Sequence, residues 1–521
     1  LGRTVADRFG IDPARVLVTA GADDGLLRLA LAYLAEGREI VLPKPTFVMI
    51  ERYARLAGAT VCEVAWAPGA PYPTDAVIAA ITPATSLIAI VSPNNPTGAV
   101  ATAEDVRRVA DAAPEAVIIV DCAYAEFADE DLTSAALEIP NAVCLRTMSK
   151  AYGCAGLRVG FALGDPEIIE ALGAAGNPYP CAAPSLAAAA ERLTADISSG
   201  VSQVRSERKQ LVEALDYAGL EARPSEGNFV YAEGPRALLT AELLAGLGIA
   251  VRRFPGMREG LPDAIRVTCP GDAEDFERLT SALQIVASPE ALLFDMDGVL
   301  VDVSSSYRRA IVETARAFGV EVTADDIARI KAAGDANDDW RVTWRLVNEA
   351  KGSTGDEVTL QAITEAFEAR YQGTDSRPGL KQSERLLIAK ETLEALRKTY
   401  RLGVVTGRPR SDAEFFLESV GLTDTFEVVV TREDAELKPS PAPTRLACER
   451  LGIQRAWLLG DTPDDITSAR GAGVLGIGVI PPGEEPSSGN AEGHGALTRV
   501  LRAAGAGAVL TQTNDLLDLL P

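Results

Sequence analysis

The chain has 521 residues, 47% hydrophobic and 24% charged, which is too long for one ordinary core and points to two or three globular domains. A net charge of -24 makes nucleic acid and anionic membranes poor partners, so any phosphate pocket must be locally basic. Seven cysteines without a Cys-x-x-Cys pair suit buried thiols in a reducing, cytoplasmic compartment, and the single histidine, His494, excludes multi-histidine metal sites. His494 lies in a Gly-rich stretch and reads as a solvated loop residue, so acid–base work falls to Lys, Asp, Glu or Tyr.

Up to about residue 165 short apolar strands alternate with amphipathic helices. The strands read as Val16–Thr19, Glu39–Leu42, Leu87–Val91 and Ala116–Val120, which predicts a largely parallel sheet covered on both faces. Residues 76 to 103 carry no charge, but Pro83, Pro93 and Pro96 break the run into a helix end and a buried strand rather than a membrane span. No signal peptide is visible, and the first residue is Leu1 rather than Met, as in a fragment or a processed form. A helical and mixed segment runs to about residue 284, and a short linker, too short for a flexible tether, leads into the buried strand Ala291–Phe294. Residues 305 to about 395 are charged and helix-rich before strands resume at Leu402–Val405, Phe426–Val430 and Ala456–Leu459. The pattern is that of a second α/β domain with a helical insert, ending in a Gly-, Ala- and Pro-rich tail of loop and short helix from Pro481 to Gly507. The predicted domains are thus 1–284 and 289–521, with the insert at about 305–395.

In the first domain Lys150 stands among small and hydroxyl residues in Thr147-Met148-Ser149-Lys150-Ala151-Tyr152-Gly153, a setting for carbonyl chemistry through a Schiff base. Pyridoxal phosphate chemistry also needs an acid on the pyridine nitrogen, donors to the ring oxygen and an anion cradle. Asp121 ends the apolar strand that includes Val117–Val120, where a carboxylate can keep that nitrogen protonated. Tyr124 and Asn95 can hydrogen-bond the ring oxygen. Gly21-Ala22-Asp23 opens a helix whose free backbone N–H groups can bind phosphate, with Ser149 and Arg158 completing the cradle. Singly, Asn95 reads equally as a turn residue, Asp121 as a strand cap and Arg158 as a surface charge; their order and spacing carry the signal.

With Asn95-Pro96-Thr97-Gly98, Asp121-Cys122-Ala123-Tyr124, Gly156-Leu157-Arg158-Val159-Gly160 and Arg266-Val267-Thr268, residues 1 to 284 resemble fold-type I pyridoxal phosphate aminotransferases, and among them the histidinol-phosphate aminotransferase group. The resemblance implies that Lys150 holds the cofactor and shuttles the proton, that Ala22, Asp23 and Thr147 belong to the cofactor site, and that Phe47 stacks on the ring. It implies that Arg266 clamps the substrate carboxylate as a bidentate fork, which lysine could not reproduce. Arg252 or Arg253 is a weaker candidate for a substrate phosphate, with a solvated charge the equal alternative. It further implies a homodimer, and an N-terminal arm ahead of the region matching Leu1, which lends a tyrosine to the neighbouring subunit and which this sequence lacks. Threonine-phosphate decarboxylases share the same motifs.

In the second domain Asp295 and Asp297 lie two apart just past a buried strand, and Gly298 permits the sharp turn that lets both engage one phosphate. Thr406 follows a strand, Lys438 precedes Pro439, and Asp461 and Asp465 follow another strand in Gly460-Asp461-Thr462-Pro463-Asp464-Asp465. A nucleophilic carboxylate, an acid for the leaving group and cations are what phosphate monoester hydrolysis needs. The set is similar to haloacid dehalogenase-superfamily phosphatases with a Rossmann-like core and an α-helical cap. The similarity implies that Asp295 becomes the aspartyl-phosphate and Asp297 serves as general acid then base, while Thr406 and Lys438 hold the phosphoryl group. It places Mg²⁺ on Asp295, the backbone oxygen of Asp297 and Asp461, with Asp465 supporting. The second aspartate argues for a phosphatase over a dehalogenase, and a phosphomutase uses the same residues. Asn337-Asp338-Asp339-Trp340 is a candidate substrate-reading loop, although helix packing is the favoured reading of Trp340 and Trp344.

The leading expectation is a bifunctional enzyme acting on small phosphorylated amino acids or amino alcohols with glutamate and 2-oxoglutarate. If the first half converts imidazole-acetol phosphate to histidinol phosphate, the second would release histidinol, the next step of histidine synthesis. The alternatives are a decarboxylase-like first half, or a first half that serves only as an oligomerisation scaffold.

Overall fold

Seven strands of the N-terminal half form one sheet: β1 (Val16–Thr19), β2 (Glu39–Lys44), β3 (Thr60–Ala65), β4 (Thr85–Val91), β5 (Val117–Asp121), β6 (Ala142–Thr147) and β7 (Gly160–Gly164). This computed structural model describes residues 1–256, 262–332, 338–352, 358–482 and 495–521; His494 and Asn337 lie outside the described residues. The strand order is β1-β7-β6-β5-β4-β2-β3, and β7 runs antiparallel to both its neighbours while the other pairings are parallel. Successive residues of β4 and β5 alternate between two cores. Ile88, Ile90, Ile118 and Val120 enter one apolar cluster, and Leu87, Ala89, Val117 and Ile119 enter another, so both faces of the sheet are covered. Each isoleucine, leucine and valine among them contributes about 1.5–3 kcal/mol by leaving water.

This topology decides where the chemistry goes. Because β7 reverses direction, β1 runs the same way as β2, β4, β5 and β6, and all five end at one edge of the sheet. The segments after Thr19, Lys44, Val91, Asp121 and Thr147, and the segment entering β7, therefore converge there. Gly160 lets β7 enter beside the β1 loop: a Cβ on it would lie 2.6 Å from the Gly21 carbonyl carbon and 2.7 Å from the Arg146 oxygen. A smaller antiparallel sheet follows, in the order Arg252–Phe254, Ala264–Thr268, Phe229–Glu233, Glu221–Ala222.

The sequence placed β1 as observed and the other named strands of this sheet within two residues of their observed ends. Residues 76 to 103 hold the end of the helix Thr74–Ala79 and the whole of β4; among the described residues no helix is long and apolar enough to cross a membrane.

The chain divides into two compact units, Leu1–Leu238 with Val251–Thr280, and Leu239–Ala250 with Ser281–Pro521. In the second unit six strands pair in parallel in the order Val428–Val430, Arg401–Val405, Ala291–Phe294, Ala456–Gly460, Leu475–Val479, Ala508–Leu510. Ala291–Phe294 is central, and every residue in it is buried. Between Asp302 and Arg385 the chain leaves this sheet as the helices Tyr307–Ala317, Ala324–Ala332, Asp339–Lys351 and Leu360–Tyr371. Antiparallel pairing of Val301–Asp302 with Arg385–Leu386 closes the base of this insert. Its centre is aromatic, with the Tyr307 ring 5.6 Å from Phe367 and 4.3 Å from Tyr371.

Candidate active sites

In the first unit Ala22, Asp23, Phe47, Asn95 and Asp121 line one cavity of about 140 Å³ together with Tyr124, Thr147, Ser149, Lys150 and Arg158. All ten residues named from the sequence as cofactor contacts thus face one space. Asp121 is buried at the end of β5. Burial pushes its carboxyl up to about 6, opposed by the Ala123 N–H, which donates to it at 3.1 Å, and by the Lys150 ammonium. A protonated ring nitrogen at that place would supply the positive charge that this buried acid lacks. Lys150 Nζ stands 5.0 Å from the centre of the Tyr124 ring.

The anion cradle is built from a helix start and one strained residue. The helix Ala22–Tyr33 begins at Gly21 with no side-chain cap, which leaves its first N–H groups for a ligand. Arg158 has φ 53°, the one left-handed non-glycine residue among the described residues. Its guanidinium lies 3.4 Å from Ser149 Oγ and 3.7 Å from the Asp23 carboxylate, and Thr147 Oγ1 donates to Ser149 Oγ at 2.9 Å. Helix N–H groups, two hydroxyls and an arginine fit a phosphate monoester.

Arg266 reaches this cavity through Asn95, whose side-chain oxygen accepts from its guanidinium. Its Nε is buried without a hydrogen-bond partner and its Cζ lies 4.9 Å from the Phe229 ring centre. Desolvation by burial lowers its pKa, so a carboxylate here would satisfy both an open donor and a costly charge. Arg252 is exposed and sits directly opposite Arg266 in the strand ladder, with Arg253 also exposed beside it. Neither lines the cavity.

In the second unit the aspartate set converges on Lys438. Its Nζ lies 2.6 Å from Asp295 Oδ1 and 2.5 Å from Asp465 Oδ1, and donates to the Val405 carbonyl at 3.0 Å. The lysine stays charged between two carboxylates despite its burial. Burial, with Asp465 and Asp297 nearby, raises the Asp295 pKa against the pull of Lys438. Asp295, Asp461 and Asp465 each bring a carboxylate oxygen within 4.8 Å of the others, an all-oxygen set that fits a hard divalent cation. Asp465 is fixed by a capping box, its Oδ2 accepting from the Thr462 N–H at 3.0 Å and hydroxyl at 2.6 Å. Gly298 has φ 75°, and a Cβ there would collide with the Asp461 carboxylate. Thr406 is buried just past Val405, its Oγ1 accepting from the Arg408 N–H at 3.1 Å.

Sequence reasoning missed Arg408. Its Nε donates to Asp297 Oδ1 at 2.7 Å, and its two terminal nitrogens donate to Glu384 at 2.9 and 3.0 Å. The available signal was its place two residues after Thr406; Glu384 and Tyr371 lie in the helical insert, where no motif marks them. A small cavity beside Asp297 is lined by Tyr307, Asp338, Asp339, Trp340, Arg408 and Arg432. Trp340 both packs on the insert, donating to Glu368 at 3.0 Å, and faces this cavity, with Arg432 Cζ 4.4 Å from its ring centre. Trp344 only packs, its Nε1 donating to the Val358 carbonyl at 2.8 Å. Asp338 caps their helix and pairs with Arg432 at 3.0 Å.

Residues 1–283 match the family Aminotransferase class I and II, and residues 292–479 match Haloacid dehalogenase-like hydrolase. A relative from Phytophthora nicotianae, named imidazoleglycerol-phosphate dehydratase, is 46% identical over 242 residues. That match covers 45% of this chain and 54% of the relative, so the chain spans about half of that relative's length. The histidinol-phosphate aminotransferase of Roseobacter denitrificans is 35% identical over 291 residues, covering 54% of this chain and 80% of that protein. The solved structure of histidinol-phosphate aminotransferase from Sinorhizobium meliloti in complex with pyridoxal-5'-phosphate has a TM-score of 0.50 at 24% identity, covering 54% of this chain and 79% of that one, a likeness of fold alone. The chain therefore belongs to the class I and II aminotransferases, with a fold-type I domain fused to a haloacid dehalogenase-like hydrolase domain.

Proposed function

We propose that the two domains catalyse consecutive reactions: amino transfer to a phosphorylated keto compound, then hydrolysis of the phosphate ester so formed. The reading treats 1–284 and 289–521 as the two domains, with the helical insert at about 305–395 as the cap of the second. The observation that carries it is the pairing on one chain of a lysine cavity lined by every named cofactor contact with a buried Asp295–Lys438–Asp465 centre. Two relatives support imidazole phosphates as the substrates, since one is named for histidinol phosphate and the other for imidazoleglycerol phosphate. On this reading imidazole-acetol phosphate and glutamate give histidinol phosphate and 2-oxoglutarate, and histidinol phosphate gives histidinol.

Pyridoxal phosphate would be held by Lys150, Asp121, Tyr124, Asn95 and Phe47 with the cradle around Arg158, and it supplies the electron sink for amino transfer. Lys150 moves the proton at the substrate carbon, Asp121 keeps a proton at the ring nitrogen, and Arg266 orients the substrate carboxylate. In the hydrolase half Asp295 attacks phosphorus while Asp297 protonates the departing alkoxide; Asp297 then takes a proton from the water that releases phosphate. Thr406 and Lys438 hold the transferring group, and Mg²⁺ on Asp295, Asp461 and Asp465 would neutralise its charge. A homodimer in a reducing cytoplasm completes the proposal, in keeping with seven free cysteines.

Two assays test it. After incubation with pyridoxal phosphate and removal of the free cofactor, the chain keeps visible absorbance, and borohydride bleaches it while fixing the cofactor covalently to the chain, whereas the Lys150→Ala variant fixes none; a wild-type chain that binds no cofactor would leave the N-terminal half as a scaffold. Histidinol phosphate with Mg²⁺ releases phosphate at a rate that Asp295→Asn lowers by about 10³-fold or more, the scale on which loss of a nucleophile acts. Release no faster than that of the variant refutes this substrate.

A further inference from the structure

The guanidinium of Arg408 is buried and paired with two carboxylates, and the hydrolysis steps above do not use it. Its side chain is 1% exposed and lies 4.8 Å from the centre of the Tyr307 ring and 5.9 Å from that of Phe416. Every nitrogen of the fork is committed. Nε donates to Asp297 Oδ1 at 2.7 Å and one terminal nitrogen approaches the same oxygen at 2.6 Å. The other side of the fork meets Glu384 at 2.9 and 3.0 Å, and the Tyr371 hydroxyl accepts from it at 3.2 Å. Glu384 is itself held by the Ser306 hydroxyl at 2.8 Å and the Tyr371 hydroxyl at 3.2 Å, and its side chain is also 1% exposed.

A planar fork satisfied on both edges has one position, and so does the carboxylate it grips. Asp297, 24% exposed, turns its held oxygen toward Arg408 and fronts the small cavity beside the phosphoryl site. Arg408 itself follows the sheet strand Arg401–Val405, whereas Tyr307, Tyr371 and Ser306 belong to the insert and Glu384 to the segment that closes it. The arginine thus ties the position of one aspartate on the sheet edge to the insert.

We propose that Arg408 is a positioning residue for Asp297, fixing that carboxylate on the leaving-group side of the reacting phosphate and making leaving-group protonation depend on the seated insert. The proposal rests on the hydrolase reading above. Its consequence is selective, because a protonating acid matters for an alkoxide, which departs poorly, and hardly at all for a nitrophenolate, which departs unaided.

The experiment compares kcat and KM for histidinol phosphate and for p-nitrophenyl phosphate, with Mg²⁺, in the full chain and in Arg408→Gln, Arg408→Lys and Arg408→Gln/Glu384→Gln. The double variant removes both members of the buried Arg408–Glu384 pair, so it leaves the net charge of the cluster unchanged should the single change fail to fold. Expected is a fall of about 10²-fold in the ratio of alkyl to aryl kcat for the two glutamine variants, carried by kcat rather than KM, with partial recovery in Arg408→Lys. A merely structural role would lower both esters in equal proportion, and that result overturns the proposal. A wild-type chain that hydrolyses the aryl ester but not histidinol phosphate refutes that substrate; the ratio is then read with glycerol 3-phosphate, and an unchanged ratio again overturns the role of Arg408. A wild-type chain that hydrolyses no ester overturns the hydrolase reading and this proposal together.

Discussion

Replacing Asp121 by Asn tests the electrostatics of the lysine cavity without any turnover. Burial lifts this carboxyl from 3.8 to about 6 in the cofactor-free protein. Because the folded-state pKa lies above the unfolded one, the folded state binds the extra proton between those values. Stability from this group is complete below about pH 4 and is lost as pH rises through about 6. A shift of about 2 units at about 1.4 kcal/mol each sets a ceiling of about 3 kcal/mol for the cost of ionised Asp121 at pH 7.5. Asparagine carries no charge and can still accept from the Ala123 N–H, so the cofactor-free variant should be the more stable protein at pH 7.5 by about 1–3 kcal/mol, with the difference shrinking as pH falls and vanishing only below about pH 4. Hydrogen exchange at the amides of β5 reads this locally, within the unit that carries the site. Pyridoxal phosphate should reverse the order, since its protonated ring nitrogen needs the anion; protection gained on cofactor addition should be smaller in the variant. A variant less protected than wild type at pH 7.5 without cofactor, or one that gains equally from it, would refute the reasoning.

Two further outcomes follow from the same geometry. Arg266→Lys removes the fork at the end of Asn95 and should raise the KM for glutamate by about tenfold or more, the worth of a charge-assisted hydrogen bond, while the cofactor still binds; an unchanged KM would detach Arg266 from the carboxylate. Lys438→Met leaves Asp295 and Asp465 buried without their cation and should cost about 3–5 kcal/mol of stability in the second unit. Urea unfolding followed by the fluorescence of Trp340, Trp344 and Trp457 measures it, with Mg²⁺ restoring part of the loss, and a cost below about 1 kcal/mol would show that the lysine does not bind that centre together.

That the residues around Lys150 share one cavity was legible in the sequence for a topological reason. Its residues follow strands whose apolar runs are easy to read, and parallel strands deliver their ends to one edge. Ala22, Phe47, Asn95, Tyr124 and Lys150 are far apart in the chain but each lies within a few residues of such an end. The same logic placed Asp295, Thr406 and Asp461. The antiparallel β7 was not anticipated, because its short apolar run, Gly160–Gly164, carries no sign of direction, although it is what brings β1 and Arg158 to the edge. Arg408 escaped because its partners Asp297 and Glu384 lie 111 and 24 residues away, and a buried arginine looks in sequence like any charged loop residue. Trp340 was named in a candidate substrate-reading loop, but its spacing to Trp344 favoured helix packing; at the start of the helix that begins at Asp339 it both packs and lines Asp297's cavity.

On the proposed function, one chain runs both reactions in sequence. The most direct measurement supplies the chain with pyridoxal phosphate, Mg²⁺, glutamate and imidazole-acetol phosphate and follows 2-oxoglutarate, histidinol phosphate, histidinol and inorganic phosphate over time. Wild type should form 2-oxoglutarate and then histidinol with an equal amount of phosphate, Asp295→Asn should stop at histidinol phosphate, and Lys150→Ala should yield neither product. Formation of 2-oxoglutarate with no histidinol, or phosphate release that persists in Asp295→Asn, would contradict it.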